Sequence, residues 1–368
     1  GESDRAKLFG SVMSVWDRPI EDFGPAGIDA GAGGLYALVP PGVSVELPEG
    51  VVGIDCDSYS VHFWLRSVPS AAGAEGWADA NAYAKSLRVY PLAEMADPPP
   101  VTWLDVTGLD GYFWGNPMPE FDNFALIDAY IQEEVLHPED AVALGMLKQL
   151  GIERGIPFQP DEATRAILER ASVDAFAEME RYLATSRAFV PYWDDRVWGA
   201  FRFSPEILQG RVSWVVDGVM DYHARAKDFF YWAVGVPKRF DASGGGATFY
   251  VMTATDADGN GLDGNNTYRL TVPADVPVSD FWSIILYSTR TRTFADSDQF
   301  GLSSLDALDV NDDGTVDLWI SPTAPDGRRS NWLATVPDDG VFLCFRFYGP
   351  QPGLTDKTWT LNEPELIR

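Results

Sequence analysis

Polar and apolar residues alternate between Tyr59 and Arg66. Tyr59, Val61, Phe63 and Leu65 fall on one side, Ser60, His62, Trp64 and Arg66 on the other, a period of two that predicts a strand with one face turned inward. The shorter apolar runs VSVEL and VVGIDC before it read as strands too, because PPG (40–42) and PEG (48–50) separate them as hairpin connections would. LRVYPL (87–92) is a further expected strand, and MADPPP (95–100) ends regular structure, since proline lacks the ladder donor. Past Phe121 the spacing changes to three and four. Phe124, Ile127, Ile131 and Val135 behind Asp122 and Asn123 predict one helix, and PEDAVALGMLKQLG, with Pro138 in its first turn and Gly151 at its stop, predicts a second. The stripe Leu168, Ala171, Phe176, Met179 and Leu183 predicts a third over 161–186, and a fourth is expected over 212–230. Strand character returns in ATFYVMTATD, TYRLTV, DFWSIILYS, TVDLWI and VFLCFRFYG, separated by the turn clusters DADGNGLDGNN, NDDG and PDDG. Strands at such short spacing predict a sandwich or barrel. The order of strands, helical block and strands excludes a doubly wound sheet.

The length of 368 residues exceeds what one core usually supports, so two cores are expected. Apolar residues at 46% against 22% charged leave enough surface to bury, and the many aromatics, glycines and prolines favour short strands and tight turns. A formal charge of −28 repels phosphate backbones and anionic headgroups, which excludes nucleic acid as a partner. No apolar run approaches the roughly 20 residues of a membrane span, so no membrane insertion is expected. Cys56 and Cys344 sit in apolar strand-like runs and are expected to be buried and unpaired. The chain starts at Gly1 without a methionine or signal peptide, so whatever precedes it is expected to have been removed or to lie outside this chain.

Several motifs bear on chemistry. GIDAGAGG (27–34) superficially resembles a phosphate-cradling loop, but a strand-like run follows it where that chemistry needs a helix N-terminus. Asp309, Asn311, Asp313 and Asp317 alternate as in a calcium loop, with Gly314 at the sharp turn, but Ile320 stands where the bidentate acid belongs; calcium is the one cofactor candidate, against an ordinary hairpin turn. His62, His137 and His223 are scattered, and no nucleophile elbow is present. The densest polar-aromatic stretch is YWDDRVWGAFRF (192–203) with DGVMDYHARAKD (217–228). It offers Asp194, Asp195, Asp217 and Asp221 as a catalytic acid pair, with Arg196, Arg225, Tyr222 and His223 in support, because glycoside hydrolysis needs two carboxylates and aromatics suit sugar faces. The structural alternative is that these acids cap helices and pair with the arginines.

LDGNNTYRL, DFWSIILYS, NDDGTVDLWISPTAP, SNWL, FRFYGP and DKTW, in this order, make the second half resemble the bacterial domain of unknown function 1214. DFGPAGIDAGAGGLYALVPPG, VELPEG, SYSVHFWLRS and the QEEV segment resemble its usual N-terminal companion, domain of unknown function 1254. The resemblance implies two jelly-roll β-sandwiches side by side, a homo-oligomer of three or six, and an exported, periplasmic or secreted protein. It also implies N-terminal strands ahead of the DFG segment. A cleaved fragment, a partner chain or a further segment is expected to supply them, since open sheet edges aggregate. The resulting map is a first sandwich over 1–95, a helical insert over 96–246 and a second sandwich over 247–368. Two functions are expected: a hydrolase of glycosidase type using paired carboxylates, or a non-catalytic self-assembling structural or binding protein.

Overall fold

The computed structural model describes residues 6–25, 27–70, 73–105, 122–184, 190–200, 215–216, 219–220, 226, 238 and 248–367. The chain is mostly β, in several sheets with no barrel. At the N-terminal end β1 (Ala6–Ser14) pairs antiparallel with β2 (Pro19–Phe23) on one side. On the other it pairs along its whole length with β5 (Val61–Pro69), giving the order β2-β1-β5. β3 (Leu35–Val39) and β4 (Val51–Asp55) form a separate parallel pair, which meets the sheet through Val12, Ile20, Ile54 and Cys56. Parallel neighbours need a crossover between them. VSVEL is used for that connection and forms no ladder, a correction to its reading as a strand. LRVYPL is likewise not a strand: Val89 is exposed, and the run passes into a single 3₁₀ turn at Leu92–Glu94.

The helix α1 (Gly73–Ser86) follows β5 and packs against it. The expected helices appear as α2 (Asp122–Glu133), α3 (Ala141–Gln149) and α4 (Glu162–Ala184). At the start of α4 the Asp161 carboxylate accepts the Thr164 amide at 2.8 Å, which satisfies one of the free donors of the first turn and holds that acid below its usual range. Just past α2, Glu134 is 2% exposed, and its two carboxylate oxygens accept the amides of Tyr59 and Ser60 at 2.7 and 2.8 Å. This carboxylate locks the helical block onto the turn that launches β5. Arg154 adds to the joint by donating to the carbonyls of Ile131 and Glu134.

β6 (Val190–Pro191) and β7 (Gly199–Ala200) come next. Where a fourth helix is expected, Val215–Val216 (β8) pairs antiparallel with Val219–Met220 (β9), which corrects that part of the expectation; Ala226 is helical, and the rest of 212–230 lies outside the described residues.

The C-terminal third supplies β10 (Thr248–Thr253), β11 (Tyr268–Val272), β12 (Val278–Ser288), β13 (Gly301–Ser303), β14 (Val316–Ser321), β15 (Trp332–Ala334), β16 (Val341–Pro350) and β17 (Glu365–Leu366). They build a six-stranded sheet, β13-β12-β16-β10-β7-β6, and a four-stranded sheet, β15-β14-β11-β17. Between the sheets lies the main core, in which Trp198, Leu270, Ile284, Leu318, Phe345 and Phe347 are fully buried. Among the described residues no helix is long and apolar enough to cross a membrane. Both cysteines are buried and free, as expected.

Replacing Glu134 by Ala removes the buried carboxylate that two amides share and is expected to cost about 2–3 kcal/mol, read as a lower urea midpoint at unchanged slope; an unaltered midpoint removes the carboxylate from its place as the joint. Phe345→Ala empties the centre of the main core and is expected to cost about 3–5 kcal/mol in the same measurement.

Candidate functional site

Strand β16 lies between β12 and β10, so both of its edges are paired and its two faces see different surroundings. Leu343, Phe345 and Phe347 enter the core between the sheets. Phe342, Cys344, Arg346 and Tyr348 point the other way, because successive side chains on a strand alternate. Register places Tyr250 on one side of Arg346 and Ser283 on the other, with Met252 and Ile285 flanking Cys344 and Phe281 beside Tyr348. One end of this outer face is closed by the last turn of α4, whose Leu183 packs with Met252, Tyr287, Phe342 and Cys344. The other end is polar.

Arg346 dominates that end. Its Nη2 donates to the Tyr287 hydroxyl, its guanidinium lies 5.5 Å from the Tyr250 ring and 5.8 Å from the Tyr287 ring, and its buried Nε has no hydrogen-bond partner. A second cation comes from the N-terminal sheet: Arg66 on β5 donates through Nη1 to the Tyr250 hydroxyl at 2.6 Å. Lys7 on β1, on the same sheet face as Arg66, reaches Asp280 at 3.7 Å. The N-terminal sheet therefore touches the outer face of the larger sheet through the tips of long side chains, with Arg66, Tyr250 and Arg346 in the contact. Tyr348 completes the group, stacked on Phe281 at 4.0 Å.

The electrostatics of this group are one-sided. Burial works against the Arg346 cation, but Tyr287, Cys344, Tyr250 and Tyr348 more than offset it and keep it firmly ionised. Arg66 is held ionised chiefly by Tyr250, against burial and against the repulsion of Arg346 itself. Among the described residues no carboxylate is among the main influences on either group. Burial pushes the phenols of Tyr287 and Tyr348 and the thiol of Cys344 upward, although Arg346 pulls all three the other way. Two like charges with no counter-ion among the described residues, walled by neutral hydroxyls and rings, can hold an anion.

The acids expected to form a catalytic pair are placed differently. Asp194 and Asp195 are exposed on the turn between β6 and β7, which the Tyr192 amide closes on the Trp198 carbonyl at 3.0 Å. Arg196 is bound to Glu363 at 2.8 Å and stands 3.8 Å from Asp195, while Trp193 and Trp198 anchor the turn in the core. Asp217, Asp221, Tyr222, His223 and Arg225 lie outside the described residues. Each of the four calcium candidates has a hydrogen-bond partner, and Asn311 and Asp313 share the Thr315 hydroxyl. Asp309 accepts the Ser330 hydroxyl, Asn311 donates to Thr315, Asp313 accepts the Thr315 amide and hydroxyl, and Asp317 accepts the Thr271 hydroxyl. Among the described residues no group of three His, Cys, Asp or Glu could hold a metal ion. Sequence reasoning missed Arg66, Arg346, Tyr250, Tyr287 and Tyr348; the available signal was Arg346 itself, a lone cation within the run VFLCFRFYG.

These shifts carry a pH dependence. A thiol or phenol whose folded pKa is raised releases its proton more readily in the unfolded chain, so the stability it confers is complete below the unfolded value and is lost as pH rises past it. Cys56, raised by burial and then by Asp57 and Asp55, and Cys344 set the first loss above about pH 8.5. Tyr287, Tyr348 and Tyr192, the last pushed up to about 12, set a second above about pH 10. Urea midpoints are expected to fall in these two windows and to stay flat from pH 7 to 8; a midpoint that rises with pH contradicts the assignment. In the native protein both thiols should resist a thiol-reactive disulfide reagent and react only on unfolding.

Residues 2–91 match the family described as Protein of unknown function (DUF1254), and residues 247–352 match Protein of unknown function (DUF1214). No curated protein matches the chain. The crystal structure of the VPA0106 protein from Vibrio parahaemolyticus is similar in fold at 16% identity and a TM-score of 0.57, covering 99% of this chain and 83% of its own. An uncharacterized protein from Burkholderia cenocepacia overlaps more weakly, at 16% identity and a TM-score of 0.28 over 58% of this chain and 47% of its own. Both halves of the candidate contact fall inside the matched segments, Arg66 in the first and Tyr250, Tyr287, Arg346 and Tyr348 in the second. The chain carries the two families in their N-terminal and C-terminal arrangement, DUF1254 followed by DUF1214.

Proposed function

We propose that this protein binds a small organic anion where its N-terminal sheet meets the outer face of the six-stranded sheet, with Arg346 and Arg66 as the charge-bearing groups. One observation carries the reading: in a chain of formal charge −28, two guanidiniums converge on Tyr250, Arg66 on its hydroxyl at 2.6 Å and Arg346 at 5.5 Å from its ring, with no carboxylate of the described residues among the main influences on either. Perturbed ionisable groups cluster at functional sites. The Tyr250, Tyr287 and Tyr348 hydroxyls supply neutral hydrogen-bonding groups around the charge, which fixes orientation without cancelling it.

This reading is nearer to a binding protein than to a glycosidase. Hydrolysis by a pair of acids draws less support, since Asp194 and Asp195 are solvent-exposed and Arg196 is engaged by Glu363. The double jelly roll, closed oligomer and exported location implied by the family resemblance belong to the same proposal, and a binding role is compatible with each.

Thermal unfolding with acetate or inorganic phosphate added at constant ionic strength tests the reading. An anion at ten times its dissociation constant should stabilise the native state by about 1.4 kcal/mol. Arg346→Met and Arg66→Gln should each lose most of that gain. Stabilisation by neither anion, or stabilisation that both variants keep in full, overturns the assignment.

A further inference from the structure

We infer that the anion is an aromatic carboxylate, its ring stacked on Trp64 and its carboxylate held between Arg66 and Arg346. This rests on the anion-binding reading above and extends it to the class of ligand.

The placement follows from strand geometry. Trp64 and Arg66 are two residues apart on β5, so they share a sheet face and stand about 6.7 Å apart along the strand. Phe9 lies directly opposite Arg66 on β1, on the same face. The face is assigned by its contacts: Lys7, two residues from Phe9, reaches Asp280, and Arg66 reaches Tyr250. Val12, on the opposite face of β1, packs with Ile54 beneath. Trp64 is thus on the side that faces the larger sheet.

Its surroundings leave room for a ring. The Trp64 indole is 49% exposed, and its one ring neighbour among the described residues is His62, edge-on at 6.5 Å. Its flat face is therefore not taken by another ring of the described residues. His62 is itself held by Asp17 at 3.1 Å, which steadies the edge contact. A ring lying on Trp64 would carry a carboxylate attached to it toward Arg66, because the span from ring centre to carboxylate in a benzoate-like acid, about 3 Å, plus a charge-assisted hydrogen bond of about 3 Å approaches the roughly 6.7 Å between the two positions along β5. Arg346 then closes the charge from the other sheet, and Tyr348, already stacked on Phe281, lines the wall.

The alternatives are less well matched. A phosphate needs the two cations but has no use for an exposed indole two residues away. An aliphatic acid gains apolar burial against Trp64 but not the offset stacking that favours one flat ring on another. The net charge of the chain also makes a polyanion a poor occupant, since the acidic surface as a whole repels it.

Titration calorimetry with 2-naphthoate, acetate and inorganic phosphate on the full chain separates these possibilities. Wild type should prefer 2-naphthoate over acetate by tenfold or more. Trp64→Leu should weaken 2-naphthoate by about 2- to 10-fold and leave acetate unchanged. Arg66→Gln should weaken 2-naphthoate and acetate together, and its exposed origin on β5 keeps the fold intact should Arg346→Met fail to fold. If Trp64→Leu binds 2-naphthoate as wild type does, or if acetate or phosphate binds as tightly as 2-naphthoate, the aromatic class is wrong while the anion site stands. If Arg66→Gln binds every probe as wild type does, the anion site itself is wrong.

Discussion

Everything in the second half of the chain is organised by the double-sided burial of β16. A strand paired on both edges has no solvent-facing backbone, and here neither face is left to water: one meets the four-stranded sheet, the other meets α4 at one end and the N-terminal sheet at the other. A cation on such a strand cannot be solvated fully. Its charge has to be met by neighbouring groups, and the groups that meet Arg346 are phenols, a thiol and ring faces. Hydroxyls and rings steady a cation without neutralising it. The charge stays available for a partner.

The same constraint explains why the N-terminal third matters to the site. Arg66 arrives on β5, and β5 is placed by two independent restraints: full-length pairing with β1, and a turn whose amides are held by the buried Glu134 carboxylate beyond α2. The helical block is thus more than a linker, since one of its side chains fixes the start of the strand that delivers the second guanidinium. A network of Arg18 with Asp57 and Asp140, and of His137 with the Asp57 carbonyl, ties the same corner together.

Much of the fold is legible in the sequence, and the exceptions have physical causes. The strands from Thr248 onward are plain because alternating apolar runs are punctuated by Asp-Gly and Asn-Gly-Leu turns, where local and global preferences agree. α2, α3 and α4 are plain from their spacing and from N-cap residues such as Asp161. β1 escaped because AKLFGSVMS contains Lys7, Gly10 and Ser11, which blur the alternation that its pairing with β5 imposes. α1 escaped because its helical signal is alanine content, with no apolar stripe to give a period. VSVEL looked like a strand, yet a strand needs a partner, and the parallel pairing of β3 with β4 consumes that segment as the crossover. The candidate site was the least legible part. Arg66 and Arg346 are 280 positions apart, each looks like an ordinary residue on its own strand, and only the stacking of one sheet on another brings them to Tyr250. The carboxylate-rich stretch at 192–203 drew attention by density, but sequence nearness there reflects a turn pinned by two core tryptophans.

The central claim is that the tips of Arg66 and Arg346 form a positively charged niche in an otherwise strongly acidic molecule. Anomalous diffraction from a crystal soaked in bromide tests it directly, because bromide reports where the field is most positive and carries no ring or hydrogen-bond donor of its own. The account predicts a bromide peak between the two guanidiniums beside the Tyr250 hydroxyl. A map with bromide elsewhere and a side-chain carboxylate lying against Arg346 would contradict it.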